Sequence, residues 1–156
     1  MDWLQFVVQW LHVLLGIAWF GYAISMFFLV SPALAQLPEP ELRATNMRLG
    51  ELGAKVFPVV GILVLVLGFI RGTFLGPIDS IDDVFGTAYG ITWLVALLAT
   101  VALFITGARF IGPSFVGLKD APDLPTAVAR LRRLSMFDLA LFGVIFTCMI
   151  LMRFGA

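Results

Sequence analysis

The chain has 156 residues, 61% of them hydrophobic and only 13% charged, with a mean hydropathy of +1.04. A water-soluble domain carries about 25% charged residues to cover its surface, so this composition specifies an integral membrane protein whose first partner is the lipid bilayer. Ten basic and ten acidic side chains cancel, which removes the positive footprint of a nucleic-acid-binding protein. A single cysteine, Cys148, leaves no internal disulfide and no metal-binding cysteine pair.

Four stretches are long enough to cross a hydrocarbon core, which takes about 20 helical residues. The first runs over 3–31 and stops at Ser31-Pro32. The second, 54–76, has Pro58 in its first turn and is closed by Gly76-Pro77. The third, 88–112, is closed by Gly112-Pro113, and the fourth occupies 134–154. Continuous apolar runs such as Val59–Leu67 lack the alternation of a β-barrel. The expected fold is therefore all-α, a single domain over 1–156 forming an antiparallel four-helix transmembrane bundle. Ser31-Pro32-Ala33-Leu34-Ala35 has the small residues of a signal-peptidase site, but no Lys or Arg precedes the apolar run and the run is too long for a signal peptide. The first segment is expected to stay in the mature protein. Spans one-two and three-four show no convincing sequence duplication.

Eight of the ten basic residues, Arg43, Arg48, Lys55, Arg109, Lys119, Arg130, Arg132 and Arg133, fall in or beside the connections 32–53 and 113–133, leaving Arg71 and Arg153 for the other side. The positive-inside rule places both connections in the cytoplasm of an inner (plasma) membrane protein, with both termini and the acidic 77–87 loop outside. Pro40-Glu41 and Asp123-Leu124-Pro125-Thr126 read as helix starts, and Ala127–Leu134 as an interfacial basic helix leading into the fourth span.

The polar residues at membrane depth cluster on the first span. Gln5, Gln9, His12, Gly16 and Trp19 recur at helical spacing and form one stripe expected to face inward. His12 is the only histidine, and an ionisable side chain inside a span marks a functional site by default. It lies roughly 13 Å along the helix from Trp3 at 1.5 Å per residue. Gln9, one turn away, is placed to hydrogen-bond its ring. At similar depth stand Arg71, Tyr89, Thr92, Trp93, Cys148, Met149 and Met152; the three residues of the fourth span cannot all face one way. Asp138, near the start of span four, is expected to form a structural ion pair with Arg109. Ala54, Gly61, Gly68 and Gly72 form a small-residue face suited either to tight helix packing or to a flat cofactor.

Leu11-His12-Val13-Leu14-Leu15-Gly16-Ile17-Ala18-Trp19-Phe20-Gly21, continuing to Ser31-Pro32-Ala33-Leu34, resembles the first-helix pattern of CopD-like copper-resistance membrane proteins and of HemJ-type protoporphyrinogen oxidases. Thr87-Ala88-Tyr89-Gly90 and Arg130-Leu131-Arg132-Arg133-Leu134 are further echoes. HemJ-like proteins imply a b-type haem and oxidation of protoporphyrinogen; CopD-like proteins imply copper handling. His12 is the residue that carries over, while the lysine expected in the third helix of these relatives is replaced by the apolar Leu94–Leu98. One histidine rules out a bis-histidine haem within one chain, so a haem b would take His12 alone, His12 with a methionine, or His12 from two copies in a homodimer.

Two sets of candidates follow. Cofactor binding falls to His12, Gln9, Gly16, Trp19 and Met149, and metal ligation to His12, Met149 and Cys148. The function expected first is a small membrane protein binding haem b or another redox centre through His12. The alternatives are a non-catalytic accessory subunit of a larger membrane complex and a copper transport or resistance protein. Catalytic residues are not assigned.

Overall fold

In lipid, every backbone N–H and C=O must find its partner within the protein, and an uninterrupted helix does this residue by residue. The computed structural model describes residues 2–154, and the described chain contains no strand. Four long helices, α1 (Trp3–Leu34), α2 (Glu39–Gly72), α4 (Ala88–Gly117) and α5 (Leu124–Phe154), are each long and apolar enough to cross a membrane. Together with the short α3 (Ile81–Gly86) they form an all-α multi-pass bundle. Its neighbours are α1 with α2, α2 with α4, α4 with α5 and α5 with α1. The start of α1, the end of α2, the start of α4 and the end of α5 lie at one end of the bundle, which therefore also carries α3.

The helices begin where local chemistry satisfies their first amides. Asp2 accepts from Leu4 N at 3.0 Å, Thr87 from Gly90 N at 2.9 Å and Asp123 from Thr126 N at 3.2 Å. Ser80 and Asp83 form a reciprocal capping box at the start of α3.

Several expected boundaries move, among them the end of the second span, which falls at Gly72 rather than 76. Ser31-Pro32 and Gly112-Pro113 do not end their helices. Each follows a π-turn, Met26–Val30 or Gly107–Ile111, after which the helix continues for another turn. Proline lacks an N–H and its ring collides with the carbonyl four residues back; the i→i+5 bonds of Ser31 N–H to Met26 O and Gly112 N–H to Gly107 O widen the turn just ahead of the ring. Pro58 sits in the interior of α2 rather than in its first turn, because the helix starts at Glu39 behind Pro38. The basic 127–134 stretch is likewise continuous with α5. The two π-turns give α1 and α4 a common plan that side-chain identities conceal: His12 and Trp93 each stand 14 residues ahead of their π-turn (26 − 12 and 107 − 93).

At the end of the bundle away from the termini, Leu118, Leu124 and Leu131 form a buried cluster with Leu42, Ile111 and Phe115 against it. Arg43 fastens this end. Its guanidinium donates to the carbonyls of Leu118, Lys119 and Ala121 at 2.6–3.0 Å, satisfying the last groups of α4 and the connection beyond, and pairs with Glu39. Gly50 lets α2 approach closely here, since a Cβ at this position would lie 2.9 Å from Phe115 Cβ.

Candidate functional site

The glycine face of α2 accommodates large side chains from its neighbours. A Cβ at Gly61 would come within 3.1 Å of both Trp19 and Phe104, one at Gly68 within 2.9 Å of His12 Cε1, and one at Gly72 would overlap the Trp93 indole. His12 from α1 and Trp93 from α4 thus reach α2 within one turn of each other, on the two sides of Gly68. Trp93 Nε1 donates to Gly68 O at 3.4 Å. The small residues therefore serve packing within the chain.

His12 is buried, and its Nδ1 lies 3.1 Å from Val64 O. A carbonyl can only accept, so this bond requires the proton on Nδ1 and makes Nε2 the uncommitted nitrogen in the neutral ring. The expected Gln9–His12 bond is replaced by another arrangement: Gln9 Oε1 accepts from Arg71 Nε at 2.9 Å. Arg71 Nη1 also donates to Leu75 O at 2.7 Å, and Gln5 Nε2 donates to the same carbonyl at 3.1 Å. The outer turns of the polar stripe thus lace α1 to the end of α2, and His12, deeper in, bonds the α2 backbone.

Beside His12 lies a partly open cavity of about 500 Å³ lined by all four long helices. Gln9, His12, Gly16 and Trp19 line it from α1, as the stripe predicts, with Arg71 from α2, Tyr89 and Trp93 from α4, and Met149, Met152 and Arg153 from α5. Most of its lining is apolar and includes Phe142 and Phe146 from α5. Phe142 meets Trp19 edge to face at a centroid distance of 5.5 Å, and Phe20 packs on both phenylalanines. Gly16 has nothing within 4 Å of a built Cβ, so the space beside His12 is open one turn along the helix. A second, smaller cavity between α1 and α5 shares Gln9, His12, Gly16, Met149 and Arg153.

The geometry revises two expected groupings. Cys148 is buried, but it lines neither cavity, so the metal set His12, Met149 and Cys148 is not assembled; helix periodicity turns Cys148 away when Met149 and Met152 face in. Among the described residues no three His, Cys, Asp or Glu side chains gather as a metal site. Thr92 also lies off the lining and bonds its own helix at Ala88 O. The Asp138–Arg109 pair does not form. Asp138 is buried and accepts from Thr106 Oγ1 at 2.6 Å, while Arg109 lies exposed within the π-turn. The extra residue in that turn changes the register beyond Thr106, and a long guanidinium there can extend toward the polar boundary. Among the described residues the only salt bridge is Arg43–Glu39.

Sequence reasoning missed Val64, whose contribution is a backbone carbonyl and leaves no side-chain signal. It also read Arg153 only as a topology charge. The available clue was that Arg71 and Arg153 are the two cations excluded from the basic end.

No family model, curated protein or solved structure matches the chain. The likeness of α1 to the CopD-like and HemJ-type pattern rests on the residues quoted for it.

Proposed function

We propose that this chain is a small redox protein of the membrane that binds a b-type haem through His12. The observation that carries this reading is the His12–Val64 bond: a backbone carbonyl holds Nδ1, leaving Nε2 for a metal, on a residue that lines a cavity within the bundle. Fixing one ring nitrogen to orient the other is the usual second-shell arrangement of a metal-binding imidazole. The surrounding residues suit a flat apolar group. Gly16 leaves open space, Trp19, Trp93, Phe142 and Phe146 supply aromatic walls, and Met149 or Met152 offers a thioether on the facing helix. Haem bound here would be held by His12 and would supply one-electron chemistry. The protein's part is to bind and orient the group and to keep water from it. Protoporphyrinogen oxidation belongs to the resemblance alone.

The test is an absorption spectrum of the detergent-purified protein, oxidised and dithionite-reduced, with metal analysis of the same sample. A Soret band that disappears in His12→Ala, while helicity is retained, is the expected result. Stoichiometric copper without a Soret band would replace this reading with copper transport. Absence of both, with co-purification of a fixed set of larger membrane subunits, would replace it with an accessory subunit.

A further inference from the structure

We infer that the occupant of the His12 cavity carries acidic groups bound by Arg71 and Arg153; resting on the haem reading above, these are the propionate carboxylates of the porphyrin. The lining contains two guanidinium groups and, among the described residues, no Asp or Glu. Neither arginine forms a salt bridge among the described residues. Arg71 is half-buried at the end of a span, and its partners, Gln9 Oε1 and Leu75 O, are both neutral. They engage two of its N–H groups and fix the plane of the guanidinium. Of the five N–H donors an arginine carries, the rest are left for a ligand. A cation at membrane depth calls for a counter-ion, and a planar guanidinium is shaped for a carboxylate.

Position agrees with this chemistry. Gln9, which holds Arg71, is one helical turn from His12, a rise of about 4.5 Å between the two residues of α1, so Arg71 is bound on the terminal side of the imidazole. The remaining wall is aromatic and aliphatic. A ligand that fits has an apolar body and acidic groups at one edge. Arg153, exposed near the end of α5, borders both cavities.

The full-length chain, freed of bound pigment and held in a zwitterionic detergent, is titrated with haemin and with haemin dimethyl ester, which has the same iron and ring but no carboxylates. The Soret shift reports binding at His12. The expected result is at least about tenfold weaker binding of the ester, from loss of charge-assisted hydrogen bonds. Arg153→Gln removes no hydrogen bond described in the fold; it should weaken haemin by at least about threefold and leave the ester unchanged. Arg71→Lys should retain part of the preference for the free acid. Equal affinities for haemin and ester, each with the Soret shift, overturn the acidic anchor and leave the haem reading standing. No shift with either porphyrin in a protein of unchanged helicity overturns both.

Discussion

Gly72 and Trp93 occupy almost the same space: a methyl group at 72 would overlap the indole ring of the facing helix. Trp93 is buried, packs on Phe69 at a centroid distance of 5.7 Å and lines the cavity. Gly72→Ala is expected to lower stability by about 1–3 kcal/mol, the usual cost of overpacking, and to push Trp93 into the cavity. Unfolding in detergent measures the first and indole fluorescence the second; an unchanged fluorescence spectrum would contradict the displacement. Residue by residue, legibility in the sequence followed the type of group involved. The stripe through Gln9, His12, Gly16 and Trp19 was readable because helical spacing and polarity in an apolar run specify a face. The partner of His12 was not, since Val64 contributes only a carbonyl. Asp138 was recognisable as a residue needing a partner, but Thr106 satisfies it with a short neutral hydroxyl where charge alone suggested Arg109.

Helix boundaries reveal a different limit. Proline predicts a stop at 32 and 113, where the chain instead inserts a π-turn and continues. The preference against proline was correct and the remedy invisible, because a wider turn needs no particular side chain. The start at Asp123 was easier, since a side-chain oxygen ahead of an exposed amide has a direct sequence signature. At α3, the Ser80 hydroxyl donates to the Asp83 carboxylate, and the Asp79 and Ser80 amides add to it, holding that carboxyl below its ordinary value near 3.8. A carboxyl whose folded value is lowered contributes stability above the unfolded value and loses it as pH falls through the folded one. The 79–86 segment should therefore be constant at neutral pH and fray only in acid, below the usual carboxylate range. Amide shifts of Ser80 and Asp83 followed by NMR down the pH scale check this. In Asp83→Asn the acid transition of these amides should vanish.

For the whole molecule, the membrane class and the four-helix plan were legible from composition and hydropathy, since lipid allows few ways to satisfy a backbone. The arrangement of helices around a cavity was not, because it depends on which glycines receive which aromatic rings. Sidedness follows from the sorting of basic residues: we expect the 113–133 connection in the cytoplasm and the 77–87 loop outside. Cys148 is buried, so the native chain should be nearly silent to a membrane-impermeant maleimide. Cysteine at the exposed Asp82 should be labelled on intact cells, and cysteine at the exposed Asp120 only after permeabilisation. The opposite pattern would invert the topology while leaving the bundle unchanged.

The π-turn of α1 has a consequence for what this chain can tolerate in length. It holds one more residue than an α-helical turn needs, and each helical residue advances the phase by about 100°. Removing one residue between Met26 and Val30 would take up that surplus and leave His12 and Pro32 in their present phases, whereas removing one from the regular α-helix between His12 and Ser25 would turn the segment bearing His12 by that angle relative to the end at Pro32. The imidazole would face away from Val64, or the connection would have to yield. The π-turn is therefore the stretch between His12 and Pro32 where a change in residue count is best absorbed.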